Sequence, residues 1–361
     1  MSAPDLPLDD LEAFLAAELG ERVTGTEPLD GALNTMVAVS TASTEDKYVA
    51  RKPTEMRESA LFTDLETEYR VLAELVDTPV PAPEPVLYCG DDGPLGGPFV
   101  VTTYLDGETV PVGERLPERY RTETARERVG ESMVDALAEL HSVDAARFED
   151  ACESATPLEQ VEDAANRLDY ATSVTGRDVP ELWDAIDWLR EHAPEPRPRA
   201  LLHGDYKSGN VFFAGDLPEV TGVFDWETAT LGDPLTELGY FLFYWRDDGD
   251  PTPAVDALRE KYGDTEVVRD LEATTEHGFY RYSNRPGSPT RRDIVERYEA
   301  KTGLAFDHDR FYRTHAAVLL ATVWEDIHRR QVEAGADTTQ EPLLDYTAEL
   351  VDRLVAGDFP L

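Results

Sequence analysis

His203-Gly204-Asp205-Tyr206-Lys207-Ser208-Gly209-Asn210 is the stretch that decides the fold, and Phe224-Asp225-Trp226-Glu227 completes it. Between them, Val211-Phe212-Phe213, a turn around Gly215-Asp216, and Val220 to Phe224 read as a β-hairpin. The hairpin returns the chain, so Asp225 comes back beside Asn210. One carboxylate, Asp205, is thereby placed to accept or orient a hydroxyl proton, and two hard oxygen donors, Asn210 and Asp225, suit Mg²⁺. Phosphoryl transfer needs little covalent help from a protein. It needs a carboxylate near the attacking hydroxyl, ligands for the metal and cations on the phosphates. A chain this acidic produces an Asp-to-Asn spacing easily. The joint occurrence of His-Gly-Asp, the Asn at its offset, the hairpin and Asp-Trp-Glu is much harder to reach by chance.

HGDYKSGN resembles the catalytic loop of the aminoglycoside phosphotransferase-like family, and FDWE resembles its metal-binding turn. The resemblance implies an α+β, bilobal protein-kinase-like fold: a small β-rich N-lobe over residues 1–105 and a large, mainly helical C-lobe over 106–361. By position it implies Asp205 as catalytic base, Asn210 and Asp225 as Mg²⁺ ligands, and Glu227 as a further partner of the metal or its water. Lys207 would reach the γ-phosphate, and His203 would be a structural residue of the loop. Gly232-Asp233-Pro234 is a helix start, with Asp as N-cap and Pro at the first helical position. The resemblance makes Asp233 a structural brace of the catalytic loop.

The amino-terminal part reads as mixed α and β. Leu8 to Leu19 is a short amphipathic helix; Met36–Ser40 and Tyr48–Arg51 are strands around a polar turn. Leu61, Leu65, Tyr69, Leu72 and Leu75 have helical spacing, and the Pro-rich stretch from Pro79 to Pro85 ends that pattern. Pro98 to Leu105 follows as a strand ending at Asp106-Gly107. Tyr48-Val49-Ala50-Arg51-Lys52 resembles the strand that carries a phosphate-binding cation. Arg51 aligns best, and strand alternation turns its neighbour Lys52 to the other face; both are named for ATP. Glu68 matches the helix glutamate that pairs with this cation. Gly31 and Asn34 stand where a phosphate-covering loop belongs, and the backbones of Thr103 and Leu105 where the adenine is held.

Beyond the turn the chain is mainly helical, with one face of Glu127–His141 apolar and Leu182, Ile186 and Leu189 marking another helix. From Pro234 onward nearly everything reads as helix, with a loop at Asn284–Pro289. Only a few residues separate Asp225 from Asp233, so the platform that a protein substrate needs is missing and a small acceptor is expected. TGVFDWETATLGDPLTELGYFLFYW and SPTRRDIVERYEAKTG further resemble the subfamily found fused to, or beside, acyl-CoA dehydrogenases. His315 departs from that subfamily's Arg-containing helix. The resemblance implies a hydroxyacyl-CoA or hydroxy acid as acceptor. An amino-sugar, antibiotic or choline-type kinase and a non-catalytic nucleotide-binding regulator are the alternatives.

Arg281, Arg285, Arg291 and Arg292 cluster in a short stretch and suit an anionic handle of the substrate. The bland reading of that stretch is a solvated helix start, because Thr290 to Asp293 fits a capping box. Trp183, Trp188, Trp245 and the aromatic run Phe241–Tyr244 read as core or pocket wall.

The bulk numbers set the outer limits. The formal charge is −41, from 74 acidic and 33 basic residues. That excludes nucleic acid and an anionic membrane as partners, because both would be repelled. ATP, with Mg²⁺, and a small acceptor are the partners expected. Lysine occurs only at Lys47, Lys52, Lys207, Lys261 and Lys301. Acid surplus with scarce lysine reads as the surface of a protein from a high-salt cytoplasm. Cys89 and Cys152 suggest neither a disulfide framework nor a metal site. The amino terminus has no signal-peptide pattern, and the longest apolar run, near Ala316–Trp324, is shorter than the roughly 20 residues a membrane span needs. A soluble, cytoplasmic protein is the expectation.

Overall fold

The computed structural model describes residues 6–29, 34–43, 47–54, 62–90, 93–251, 253–336 and 338–361. Its first element, α1 (Leu8–Leu19), buries Leu11 and Leu15 and stops at Gly20, whose φ of 68° is open to glycine at little cost. The strands β1 (Val23–Leu29), β2 (Asn34–Thr41) and β3 (Lys47–Pro53) form an antiparallel meander. Next come α2 (Leu65–Leu75), β4 (Pro85–Cys89) and β5 (Phe99–Thr103), giving a five-stranded sheet in the order β1-β2-β3-β5-β4. Helix α1 covers one face, where Leu11 and Leu15 join Val37, Val39, Ala50, Phe99 and Val101 in one apolar cluster. Each Val, Leu or Phe among them stabilises by about 1.5–3 kcal/mol when fully buried.

Helix α2 lies alongside β4 and β5. It starts at Leu65 because the Asp64 carboxylate accepts the Thr67 N–H at 2.7 Å; Leu61, expected as its first residue, lies outside the described residues. Leu65, Val71, Leu72 and Leu75 form its buried stripe, and Glu68 is buried with them. A buried carboxylate on an apolar stripe requires a partner.

The rest of the chain is α3 (Glu123–His141), α4 (Pro157–Thr175), α5 (Pro180–His192), β6 (Ala200–Leu202), β7 (Val211–Ala214), β8 (Glu219–Val223), β9 (Thr230–Gly232), α6 (Pro234–Tyr244), α7 (Val255–Tyr262), α8 (Glu266–His277), α9 (Arg291–Thr302), α10 (Asp309–Glu333) and α11 (Glu341–Ala356). Helix α10 is the spine, packed on α4, α5, α6 and α11. The sequence sets these starts locally. Thr156 and Glu159 cap α4 reciprocally, and Thr290 and Asp293 do the same for α9. Gly239 lets α6 approach α10 closely: a Cβ there would lie 2.6 Å from the Tyr312 carbonyl oxygen.

Two short ribbons carry the site. Strand β6 pairs with β9, Leu201 opposite Leu231, and β7 forms a hairpin with β8, Val211 opposite Val223. The segment after β5 crosses onto this hairpin, where Glu108 and Phe213 exchange N–H···O bonds at 2.9 Å in both directions. Cys89 and Cys152 are both buried and form no disulfide. Among the described residues, no helix is long and apolar enough to cross a membrane.

Candidate active site

The loop after β6 is clamped before it bears any functional group. Gly204 has φ 83°, and a Cβ there would come within 2.3 Å of the Thr228 carbonyl oxygen. The N–H groups of His203 and Gly204 both donate to one carboxylate, Glu237 of α6, at 3.1 and 2.6 Å. Glu237 also lies 3.0 Å from His141 Nε2, and His141 Nδ1 lies 2.7 Å from the Tyr298 hydroxyl. The brace anticipated at Asp233 is therefore carried by Glu237, one helical turn further on. Asp233 instead caps α6 through the Leu235 N–H and accepts the Tyr312 hydroxyl at 2.7 Å. His203 ties the loop to the following turn: its Nε2 lies 2.8 Å from the Phe224 carbonyl, and its Nδ1 accepts the Asp205 N–H.

Asp205 stands at the centre of three donors. Tyr240 donates to Oδ1 at 2.6 Å; Lys207 and the Asn210 amide donate to Oδ2 at 2.6 and 3.0 Å. Burial, and then the Asp205 charge, push the Tyr240 phenol well above its ordinary range. Burial likewise pushes Tyr244, 3.1 Å from Tyr240, up to about 12. Both stay protonated at neutral pH, so Tyr240 is a donor to Asp205. For Lys207, burial acts to lower the pKa, but Asp205, with help from Tyr244 and Asp225, outweighs it and holds the ammonium above its ordinary value.

The turn after β8 supplies the facing acids. Phe224 N–H donates to the Asn210 carbonyl at 3.0 Å, which sets the two ends of the hairpin side by side. Asn210 uses its amide nitrogen on the Asp205 carbonyl and carboxylate. Its amide oxygen is then the atom left for a cation. Asp225 has φ 71°, a left-handed conformation that Asp tolerates better than most residues. Trp226 anchors the turn: it is fully buried, donates to the Val223 carbonyl and packs 4.8 Å from the His203 ring. Among the described residues no group of three or more His, Cys, Asp or Glu side chains is arranged to hold a metal. Two oxygen donors suit Mg²⁺, which keeps waters and takes its remaining ligands from phosphates.

Glu227 faces the sheet. Its buried carboxylate accepts the Asn34 amide at 3.1 Å and lies 3.6 Å from Arg51 Nη1, and its carbonyl accepts the Thr63 N–H at 2.7 Å. Arg51 pairs with Glu68, the partner its burial demands, and lies 4.0 Å from Asp225. Lys52 does not share this cleft. Strand alternation sends it to the opposite face, where Nζ donates to the carbonyls of Leu95 and Gly96 at 2.8 and 3.0 Å. Of the two expected nucleotide-holding backbones, the Thr103 N–H is already bonded to the Glu84 carbonyl. Gly31 lies outside the described residues.

The four arginines divide. Arg291 is buried at the start of α9 and forms two bonds to Asp250, at 2.5 and 2.6 Å, with further bonds to the carbonyls of Trp245 and Pro360. Arg292 donates to the Leu361 carbonyl. Arg291 is thus committed to internal pairing, whereas Arg292 is exposed. Among the described residues the Arg285 side chain donates to the His277 ring alone, and the Nε of Arg281 is buried without a hydrogen-bond partner. Glu237, Tyr240 and Tyr244 were not marked by the sequence as site residues. Their one signal is spacing: counted from the Asp233 cap, Glu237 follows four residues on, and Tyr240 and Tyr244 share one helix face.

A model of the phosphotransferase enzyme family matches residues 24–271. The mouse protein named acyl-CoA dehydrogenase family member 10 is 25% identical over 363 residues, covering 96% of this chain and 31% of that protein. The chain thus spans about a third of the length of that curated relative. A Ralstonia eutropha structure described as a candidate aminoglycoside phosphotransferase superposes with a TM-score of 0.73 at 22% identity, covering 97% of both chains. A GDP and kanamycin complex of an aminoglycoside 2″-phosphotransferase gives 0.58 at 15% identity, covering 96% and 98%. These two likenesses concern the fold, which is kinase-like.

Proposed function

The chain belongs to the phosphotransferase enzyme family, and from that premise we propose that it moves the γ-phosphoryl group of ATP to a hydroxyl of a small molecule. The observation that carries this reading is Asp205, held by Tyr240, Lys207 and Asn210 on a loop tied by the hairpin to Asp225. An acceptor hydroxyl at Asp205 gives its proton to the carboxylate as its oxygen bonds to the γ-phosphorus, and the bond from γ-phosphorus to the bridging oxygen breaks to release ADP. Lys207, already beside Asp205, and Arg51, buttressed by Glu68, supply positive charge for the transferring group. Mg²⁺, held through Asn210 and Asp225, would neutralise phosphate charge. The adenine sits against the segment after β5, where Leu105 packs over Gly222 of β8, and the 105/106 boundary serves as the hinge between lobes.

For the acceptor we favour a hydroxyacyl-CoA or hydroxy acid, on the likeness to an acyl-CoA dehydrogenase family protein over 96% of the chain. A cytoplasmic setting suits such a substrate. An amino sugar, an antibiotic or choline is the competing acceptor, and a non-catalytic nucleotide-binding regulator the competing function. The test is transfer from Mg·ATP, in molar KCl, to hydroxyacyl-CoAs, hydroxy acids, amino sugars and choline, followed by mass spectrometry. Asp205→Asn should lower transfer by about 10²–10⁴-fold, the usual worth of a positioned proton acceptor. Nucleotide binding with no transfer to any acceptor would make the regulator the better reading.

A further inference from the structure

In a chain with 74 acidic residues an arginine readily finds a carboxylate, and most arginines here do. Arg115, Arg281 and Arg285 do not: among the described residues none of the three forms an ion pair. They lie together. Arg285 Nη2 sits 3.1 Å from both ring nitrogens of His277, and the charges of Arg285, Arg115 and Arg281 all act on that ring. Glu276 lies 3.5 Å from His277 Nε2.

Two segments build this cluster, and each is fastened. The Gly113 N–H donates to the Phe279 carbonyl at 2.8 Å, Arg126 donates to the Pro286 carbonyl at 2.8 Å, and Gly287, with φ 91°, packs directly on Glu123. Both segments also touch the catalytic loop at one residue. Ser208 donates its N–H to the Tyr280 hydroxyl and its own hydroxyl to the Val110 carbonyl, and its carbonyl accepts the Val110 N–H. Arg281 follows Tyr280 directly, and Arg115 comes shortly after Val110.

We propose that Arg115, Arg281 and Arg285, grouped around His277, form a docking site for an anionic group, carboxylate or phosphate, carried by the acceptor. Arg281 Nε has no hydrogen-bond partner in the structure, and guanidinium forks match both anions in shape. Only the assignment to the acceptor rests on the phosphotransferase reading.

The test is calorimetric titration of the full chain with inorganic phosphate and with succinate, each in the presence of saturating Mg·ADP so that the nucleotide site is filled. The two probes separate the two anions. Binding of either that weakens about tenfold or more in Arg281→Gln/Arg285→Gln, with ADP affinity kept, supports the site. Arg115→Gln, at an exposed position, gives the same reading should the double variant fail to fold. Binding equal in the variants, or abolished by ADP, overturns the site and leaves the kinase reading intact. Variant-sensitive binding in a chain that transfers phosphate to no acceptor keeps the site and rejects the kinase. With an active acceptor, KM should rise in these variants while kcat holds.

Discussion

The segment from Arg281 to Arg285 and the helix start at Arg291 are neighbours in sequence, and they treat the same side chain in opposite ways. Arg291 is buried against Asp250 with both ends of its fork engaged. Among the described residues Arg285 reaches only an imidazole, and Arg281 forms no ion pair. Sequence clustering put the four arginines in one class; burial and pairing split them. A paired, buried charge belongs to the architecture; an unpaired one is the kind we propose is held for a ligand.

The sharpest test replaces one residue from each class. Arg291→Ala leaves Asp250 buried without its counter-charge and should cost about 3–5 kcal/mol in denaturant unfolding. Arg285→Ala should stay within about 0.5 kcal/mol. Similar losses in both would break the distinction.

His315 is a third kind of case, fully buried on α10 with neither ring nitrogen bonded. Burial pushes its pKa down to about 4, from 6.5. The unfolded chain therefore takes up the proton first, and stability falls as pH drops from about 6.5 towards 4, by up to about 3 kcal/mol. His315→Leu should flatten that part of the stability profile. An unaltered slope would place the acid sensitivity elsewhere.

On the paired side, Tyr240→Phe removes one donor from Asp205 and should lower kcat by about tenfold, with little change in melting temperature. A kcat equal to that of the parent would reduce Tyr240 to packing.

Salt should act on the two regions with opposite signs. We read the acidic surplus as adaptation to a saline cytoplasm, so raising KCl from dilute to molar should raise the melting temperature while weakening anion binding at Arg281 and Arg285. A melting temperature indifferent to KCl would remove the saline reading and leave the arginine comparison untouched.

Most of the fold was legible because its signals are local. The α1 pattern, the β7–β8 hairpin and the Thr290–Asp293 cap all appear where periodicity and capping chemistry place them. The sequence pattern marks none of β1, β4, β6 and β9. β1 has no buried residue, β4 starts at the end of a Pro-rich stretch, and neither shows clean alternation. At the site, the motif residues could be named, but not their bonds. Nothing in the spelling of Asp233 and Glu237 says which of them reaches the loop, since both are acids on one helix start. Alternation did separate Arg51 from Lys52. Tyr240 directly precedes the aromatic run Phe241–Tyr244 that reads as core, most of which is core, so nothing in the sequence singles it out.

Ser208 has a consequence for anyone who would re-engineer this enzyme. Its N–H, carbonyl and hydroxyl are all engaged, by Val110 on one side and Tyr280 on the other. The octapeptide from His203 to Asn210 is therefore not a portable cassette. A transplant into another scaffold must carry residues 110 and 280 with it, and a swap of either flank to change what is phosphorylated also changes what the loop rests on.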